Sequence, residues 1–133
     1  MKLVEVVEAL FGGSGDPRAA EAAGYLSEDL VMIEGGNNLR SGEHRGKAAM
    51  AALMKQVGES CDHFQSDMVW VKGDDRQVVS LAHAHGRRNG IDLDTHVLTM
   101  IMADDSGQIV EIRDLPYDWT AWEEFFAESA ESA

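Results

Sequence analysis

Residues 77–103 read QVVSLAHAHGRRNGIDLDTHVLTMIMA. Two β-rich runs, Gln77–Arg87 and Ile91–Ala103, flank Asn89-Gly90. That dipeptide is a strong hairpin signal, because a two-residue turn between twisted strands needs positive φ at both positions. A third run, His63–Lys72, lies before Gly73-Asp74-Asp75. A fourth, Gln108–Leu115, follows Asp104-Asp105-Ser106-Gly107. Four strands joined by such short, Gly-containing breaks predict an antiparallel meander over the second half of the chain.

The first half has a different period. Leu3, Val6, Val7, Leu10 and Phe11 recur at helical spacing, so residues 2–11 are expected to form an amphipathic helix that Gly12-Gly13-Ser14-Gly15 ends. Asp16-Pro17 reads as an N-cap with proline at the first helical position, opening a second helix to about Tyr25. Leu30–Ile33 reads as a short strand closed by Gly35-Gly36-Asn37-Asn38. A third helix fits Lys47 to Val57, with Met50, Leu53, Met54 and Val57 on one face and Gly58 past its end. Asp118 reads as the N-cap of a closing helix that buries Trp119, Trp122, Phe125 and Phe126. Helices first and a meander after predict one α+β domain over residues 1–127, with its helices on one face of a curved sheet. Residues 128–133, rich in Ala, Glu and Ser, are expected to fray.

At 133 residues the chain is long enough to bury a core without disulfides, and its one cysteine, Cys61, cannot form an internal one. A formal net charge of −13 argues against nucleic acid and anionic membranes as partners, since both are bound through Lys and Arg. No apolar run approaches the roughly 20 residues of a membrane span, and Glu5 and Glu8 interrupt the first eleven residues. Together these readings predict a cytoplasmic protein. Cys61 has no cationic neighbour in sequence to activate it, and no nucleophile elbow or phosphate-cradling loop is present.

Three segments carry a family resemblance. Tyr25-Leu26-Ser27-Glu28-Asp29-Leu30-Val31-Met32 resembles the approach to a first strand. Ser41-Gly42-Glu43-His44-Arg45-Gly46-Lys47-Ala48-Ala49 resembles the glycine-x-aromatic-arginine-glycine turn before a third helix. Gly107–Asp114 with Asp118 resembles a final strand and the aspartate after it. In order and spacing the chain resembles the nuclear-transport-factor-2-like superfamily, and within it the SnoaL-like and ketosteroid-isomerase-like proteins. The resemblance implies a cone-shaped α+β barrel, a curved antiparallel sheet wrapped around N-terminal helices, with a central pocket and homodimerisation through the sheet. Laid against the limonene-epoxide-hydrolase branch, His83 and His85 fall where that branch has an arginine and an aspartate. Asp114 falls at its second catalytic aspartate, and Glu34 at its water-holding asparagine. Because the Arg/Asp pair is missing, that branch's water-activating machinery does not simply carry over.

Strand alternation puts Asp92, Asp94, His96, Leu98, Met100 and Met102 on one face of Ile91–Ala103, and Val79, Leu81, His83 and His85 on one face of Gln77–Arg87. His83, His85, Asp94 and His96 are expected to face the pocket, as are Met32 and Glu34 on the first strand. His83, His85, His96, Asp94 and Asp114 are then candidate catalytic groups, because histidine titrates near neutrality and a carboxylate orients its ring and stabilises its cation. Met32, Glu34, Met54, Leu98, Met100 and Trp119 are candidate substrate contacts. The expected ligand is a small, largely apolar metabolite and the expected chemistry is acid/base catalysis without a cofactor. A non-catalytic binding or interaction module is the alternative. His83-x-His85 with His96 also has the donor chemistry of a divalent-metal site, although the resemblance implies none and no metal ligand is assigned.

Overall fold

The computed structural model describes residues 1–13 and 15–128, so Ser14 and nearly all of the expected frayed tail lie outside the described residues. One six-stranded sheet organises the chain. Its strands are β1 (Leu26–Glu34), β2 (Gly42–Arg45), β3 (His63–Gly73), β4 (Gln77–Arg88), β5 (Ile91–Ala103) and β6 (Ile109–Pro116), in the spatial order β2-β1-β6-β5-β4-β3. The four helices are α1 (Leu3–Phe11), α2 (Ala19–Ala23), α3 (Lys47–Ser60) and α4 (Trp119–Phe125).

The meander forms as the turns dictate. Asn89 has φ 51° and Gly90 φ 79°, the conformation that a two-residue hairpin turn requires. Asp118 caps α4, its side chain accepting a hydrogen bond from the Ala121 N–H.

Five points differ from the expectations. The sheet is mixed and not purely antiparallel, because β1 runs parallel to β6 with Glu34 opposite Asp114. The first strand starts at Leu26, four residues early, and β2 was not expected at all. Only four residues long and polar, β2 carries no alternating apolar signal. The second helix is just Ala19–Ala23, since Asp16 instead closes a turn with its side chain on the Arg18 N–H. The third helix continues through Gly58 to Ser60. A lone glycine weakens a helix but does not end one when the surrounding packing continues.

Leu3, Val6 and Val7 of α1, Leu53 and Val57 of α3, and Trp122, Phe125 and Phe126 at the C-terminal end are buried in one core with the inner sheet face. Val78 and Ala84 of β4, Leu93, Val97 and Ile101 of β5, and Ile109 and Ile112 of β6 supply that inner face. This packing fixes the side of the sheet that each alternate residue takes.

Candidate functional site in the cone

A cavity of about 160 Å³ lies between the inner sheet face and the helices. Phe11, Met54, Phe64, Met68, Val97 and Trp122 supply apolar wall, while Ser80, Thr99, Arg40 and Asp114 supply its polar atoms. A wider cleft of about 680 Å³ beside Gly12–Arg18 opens to solvent, and its Asp16 and Arg18 are paired with each other. The smaller cavity is therefore the place where buried polar groups converge.

Neighbouring strands set the acid pair. Glu34 ends β1 directly across the parallel ladder from Asp114 on β6, so their side chains emerge side by side. Arg40 reaches them from the loop after Glu34. Its Nε and Nη2 donate to Glu34 Oε1 at 2.9 and 2.7 Å, and Nη2 also donates to Asp114 Oδ2 at 3.2 Å. All three are largely withdrawn from water, with side-chain exposures of 7% for Arg40, 4% for Glu34 and 11% for Asp114. Thr99 on β5 donates its hydroxyl to Asp114 Oδ1 at 2.6 Å.

The loop is built to hold the guanidinium. The Arg40 N–H donates to Asn38 Oδ1, and His44 Nε2 donates to the Arg40 carbonyl at 2.8 Å. The Trp122 and Phe126 rings each lie 5.1 Å from the guanidinium carbon, within reach of cation–π attraction. Leu39 N–H bonds to the Phe126 carbonyl, tying this loop to the end of α4.

Burial pushes the Glu34 carboxyl up to about 9, reinforced by the Asp114 charge and by a hydrogen bond between the two carboxyls, against the opposing pull of Arg40. Glu34 therefore keeps its proton at neutral pH, beside the Arg40 guanidinium and the Asp114 carboxyl. A carboxyl held neutral limits the uncompensated charge in a site so withdrawn from water. The cluster can accept a proton at the cavity wall and supply one from behind.

The candidate residues separate into two groups. Asp114 and Met54 line the cavity, and Glu34 lies behind its wall beside Asp114. Met32 is buried in the core cluster. The expected inward face of β4 and β5 is corrected: His83, His85, Asp94, His96, Leu98 and Met100 lie on the outer side of the sheet. Their strand neighbours Ala82, Ala84, Val97 and Thr99 take the inner side. The small Ala82 and Ala84 leave room for the cavity and the helices, which imidazoles at those positions would fill. Trp119 also faces outward, in a groove with Trp70, Leu98 and Tyr117. Arg40, Thr99 and Trp122 were not singled out as site residues in the sequence. The available signal for Arg40 was a single arginine in the loop that follows Glu34, in a strongly acidic chain.

No family model and no curated protein sequence matches the chain. Solved structures do. It superposes with TM-score 0.80 on Bal32a from a soil-derived mobile gene cassette, at 25% identity over 93% of this chain and 95% of that one. A SnoaL-like polyketide cyclase from Jannaschia sp. CCS1, so described provisionally, is similar at TM-score 0.71 and 18% identity, over 96% and 93% of the two chains. TerC, crystallised with polyporic acid, is similar at TM-score 0.75 and 16% identity over 93% and 97%.

Proposed function

Because this chain has the nuclear-transport-factor-2-like fold shared by the SnoaL-like proteins, a small-molecule-binding fold, we propose that it is a cofactor-independent acid/base enzyme acting in the cone. Asp114 is the base at the cavity wall. Glu34 holds the exchangeable proton behind it, and Arg40 balances the charge that moves between them. The observation that carries this reading is the buried Arg40–Glu34–Asp114 cluster with one face on an apolar cavity. Structural ion pairs are more often placed at the surface, where desolvation costs less.

The cavity sets the substrate class. Its volume of about 160 Å³ is close to that of an engineered apolar cavity of ~150 Å³ that takes benzene, so a largely apolar molecule of roughly six to eight non-hydrogen atoms fits. Isomerisation, dehydration and opening of an epoxide by activated water all need only a proton taken and a proton returned, which the pair supplies. TerC, similar in fold, was crystallised with a small organic molecule, polyporic acid. The reading also takes the protein to be cytoplasmic; no described helix is long and apolar enough to cross a membrane.

The test is a screen of small epoxides, cyclic enones and β-hydroxy ketones, followed by Asp114→Asn on any substrate turned over. The expected result is a fall of about 10²–10⁴-fold in kcat with KM little changed, the range for a lost general base. Wild-type turnover by both Asp114→Asn and Glu34→Gln sinks the assignment. Ligand binding in the cavity without turnover favours the non-catalytic module, a reading that the full pairing of both carboxyls with Arg40 also supports.

A second copy of the chain is the partner we propose for the outer sheet face. Trp70, Leu81, Leu98 and Leu115 stand in one row across β3, β4, β5 and β6, and Tyr117 and Trp119 extend it. A solvent-facing sheet ordinarily alternates to polar residues on this side.

A further inference from the structure

We propose that Asp67, His83 and His85 on the outer sheet face form a binding site for one divalent transition-metal ion of the zinc type. This site is separate from the cone and independent of the acid/base reading, since the sheet lies between them.

Two adjacent strands bring the donors together. His83 and His85 are two residues apart on β4, so they leave the same face about 7 Å apart at the backbone. Asp67 on β3 is directly opposite His83 across the ladder. One ligand atom from each of the three lies within 4.8 Å of the other two. Around a tetrahedral ion with bonds of about 2.0–2.1 Å, donor atoms stand roughly 3.3 Å apart. Side-chain rotation alone closes that difference, and the antiparallel β3–β4 ladder holds the two backbones in register. Two imidazoles and a carboxylate suit zinc, nickel or copper and discriminate against magnesium and calcium, which take oxygen ligands.

The surroundings support the donors. Gln65 Nε2 donates to Asp67 Oδ1 at 2.6 Å and leaves Oδ2 turned to His85 Nε2, 2.9 Å away. Asp94 Oδ1 lies 2.6 Å from His83 Nε2 and orients that ring, the role a carboxylate takes beside a metal-bound imidazole. The side chains are only partly open, with His83 at 36% and His85 at 34% exposure. The ring centroids lie 5.0 Å apart, with the planes tilted by 32°. An ion held by three protein donors retains positions for water on the solvent side.

The experiment uses the full chain without a histidine tag, stripped with chelator and titrated with zinc chloride in a calorimeter and with cobalt(II) by visible absorption. One ion per chain is expected. His83→Ala, His85→Ala and Asp67→Ala should each weaken it by at least about tenfold, since even supporting groups around a metal are worth 10–100-fold. His63→Ala, on β3 but outside the cluster, should bind as the parent does. Absence of stoichiometric binding, or equal binding by the His83→Ala/His85→Ala double variant, overturns the site. Copper(II) paramagnetic resonance of the unaltered protein gives a readout that needs no variant: two coupled nitrogens are expected, and none overturns the proposal.

Discussion

Arg40, Glu34 and Asp114 are withdrawn from solvent together, so each relies on the others for its hydrogen-bond partners. Arg40→Met strips the only cation from two buried carboxyls. Breaking a buried ion pair from one side is expected to destabilise by about 3–5 kcal/mol, measurable by urea unfolding. Glu34 makes a sharper prediction through pH. Its carboxyl moves from 4.5 to about 9 on folding, so between those values the folded chain holds a proton that the unfolded chain has released. Stability from this group is therefore complete below pH 4.5 and is lost as pH rises toward 9, by an amount on the order of a few kcal/mol. Glu34→Gln should flatten that decline. Parallel pH profiles for parent and variant would contradict a Glu34 that keeps its proton. At this scale the sequence was partly legible: Asp114 and Glu34 stood out through the family resemblance, at positions of a catalytic aspartate and a water-holding asparagine. Arg40 did not, because it lies in a loop and its partners become neighbours only when β1 and β6 pair.

Elements respond according to backbone conformation more than to open space, as two glycines show. Gly58 and Gly90 both have nothing within 4 Å of where a Cβ would stand. Gly58 lies inside α3 without a positive φ, so Gly58→Ala should stabilise by roughly 0.5–1 kcal/mol by restricting the unfolded chain. Gly90 has φ 79°, and Gly90→Ala should destabilise by roughly 1–2 kcal/mol, because an L side chain is strained there. Thermal unfolding that moves both variants in the same direction would contradict this account. The same hairpin explains what the sequence could and could not tell. Asn89-Gly90 located β4 and β5 closely. Which face of each strand turned inward stayed hidden, because both faces of β5 carry apolar residues: Leu93, Val97 and Ile101 on one, Leu98, Met100 and Met102 on the other. When the outer face is as apolar as the inner, alternation gives the period and not its phase. The helices chose the phase by packing on Ala84 and Val97, and the histidines followed to the outside.

For the whole molecule, the outer face sets apolar attraction against charge. Tyr117 is 87% exposed, and Trp70, Leu98, Leu115 and Trp119 each leave more than a third of their surface to water. Burying that row against a second copy is favourable at about 25 cal/mol per Å². Each copy also carries a formal charge of −13, so association works against mutual repulsion, which salt screens over about 10 Å at 0.1 M. The dimer should consequently tighten as salt is added, opposite to an interface held by ion pairs. Sedimentation of the untagged chain across a salt series checks the sign. Leu98→Glu, in the middle of the row, should give a monomer at every salt concentration while its far-ultraviolet circular dichroism stays that of the parent, since Leu98 packs outward and not into the core. If Leu98→Glu remains dimeric, the contact lies elsewhere on the surface. The metal donors occupy the row of side chains beside this band, with His83 on β4 next to Leu81 on the same face. A monomer that keeps one ion per chain would place the two features side by side but independent, and loss of the ion with the dimer would mean that the second copy completes the site.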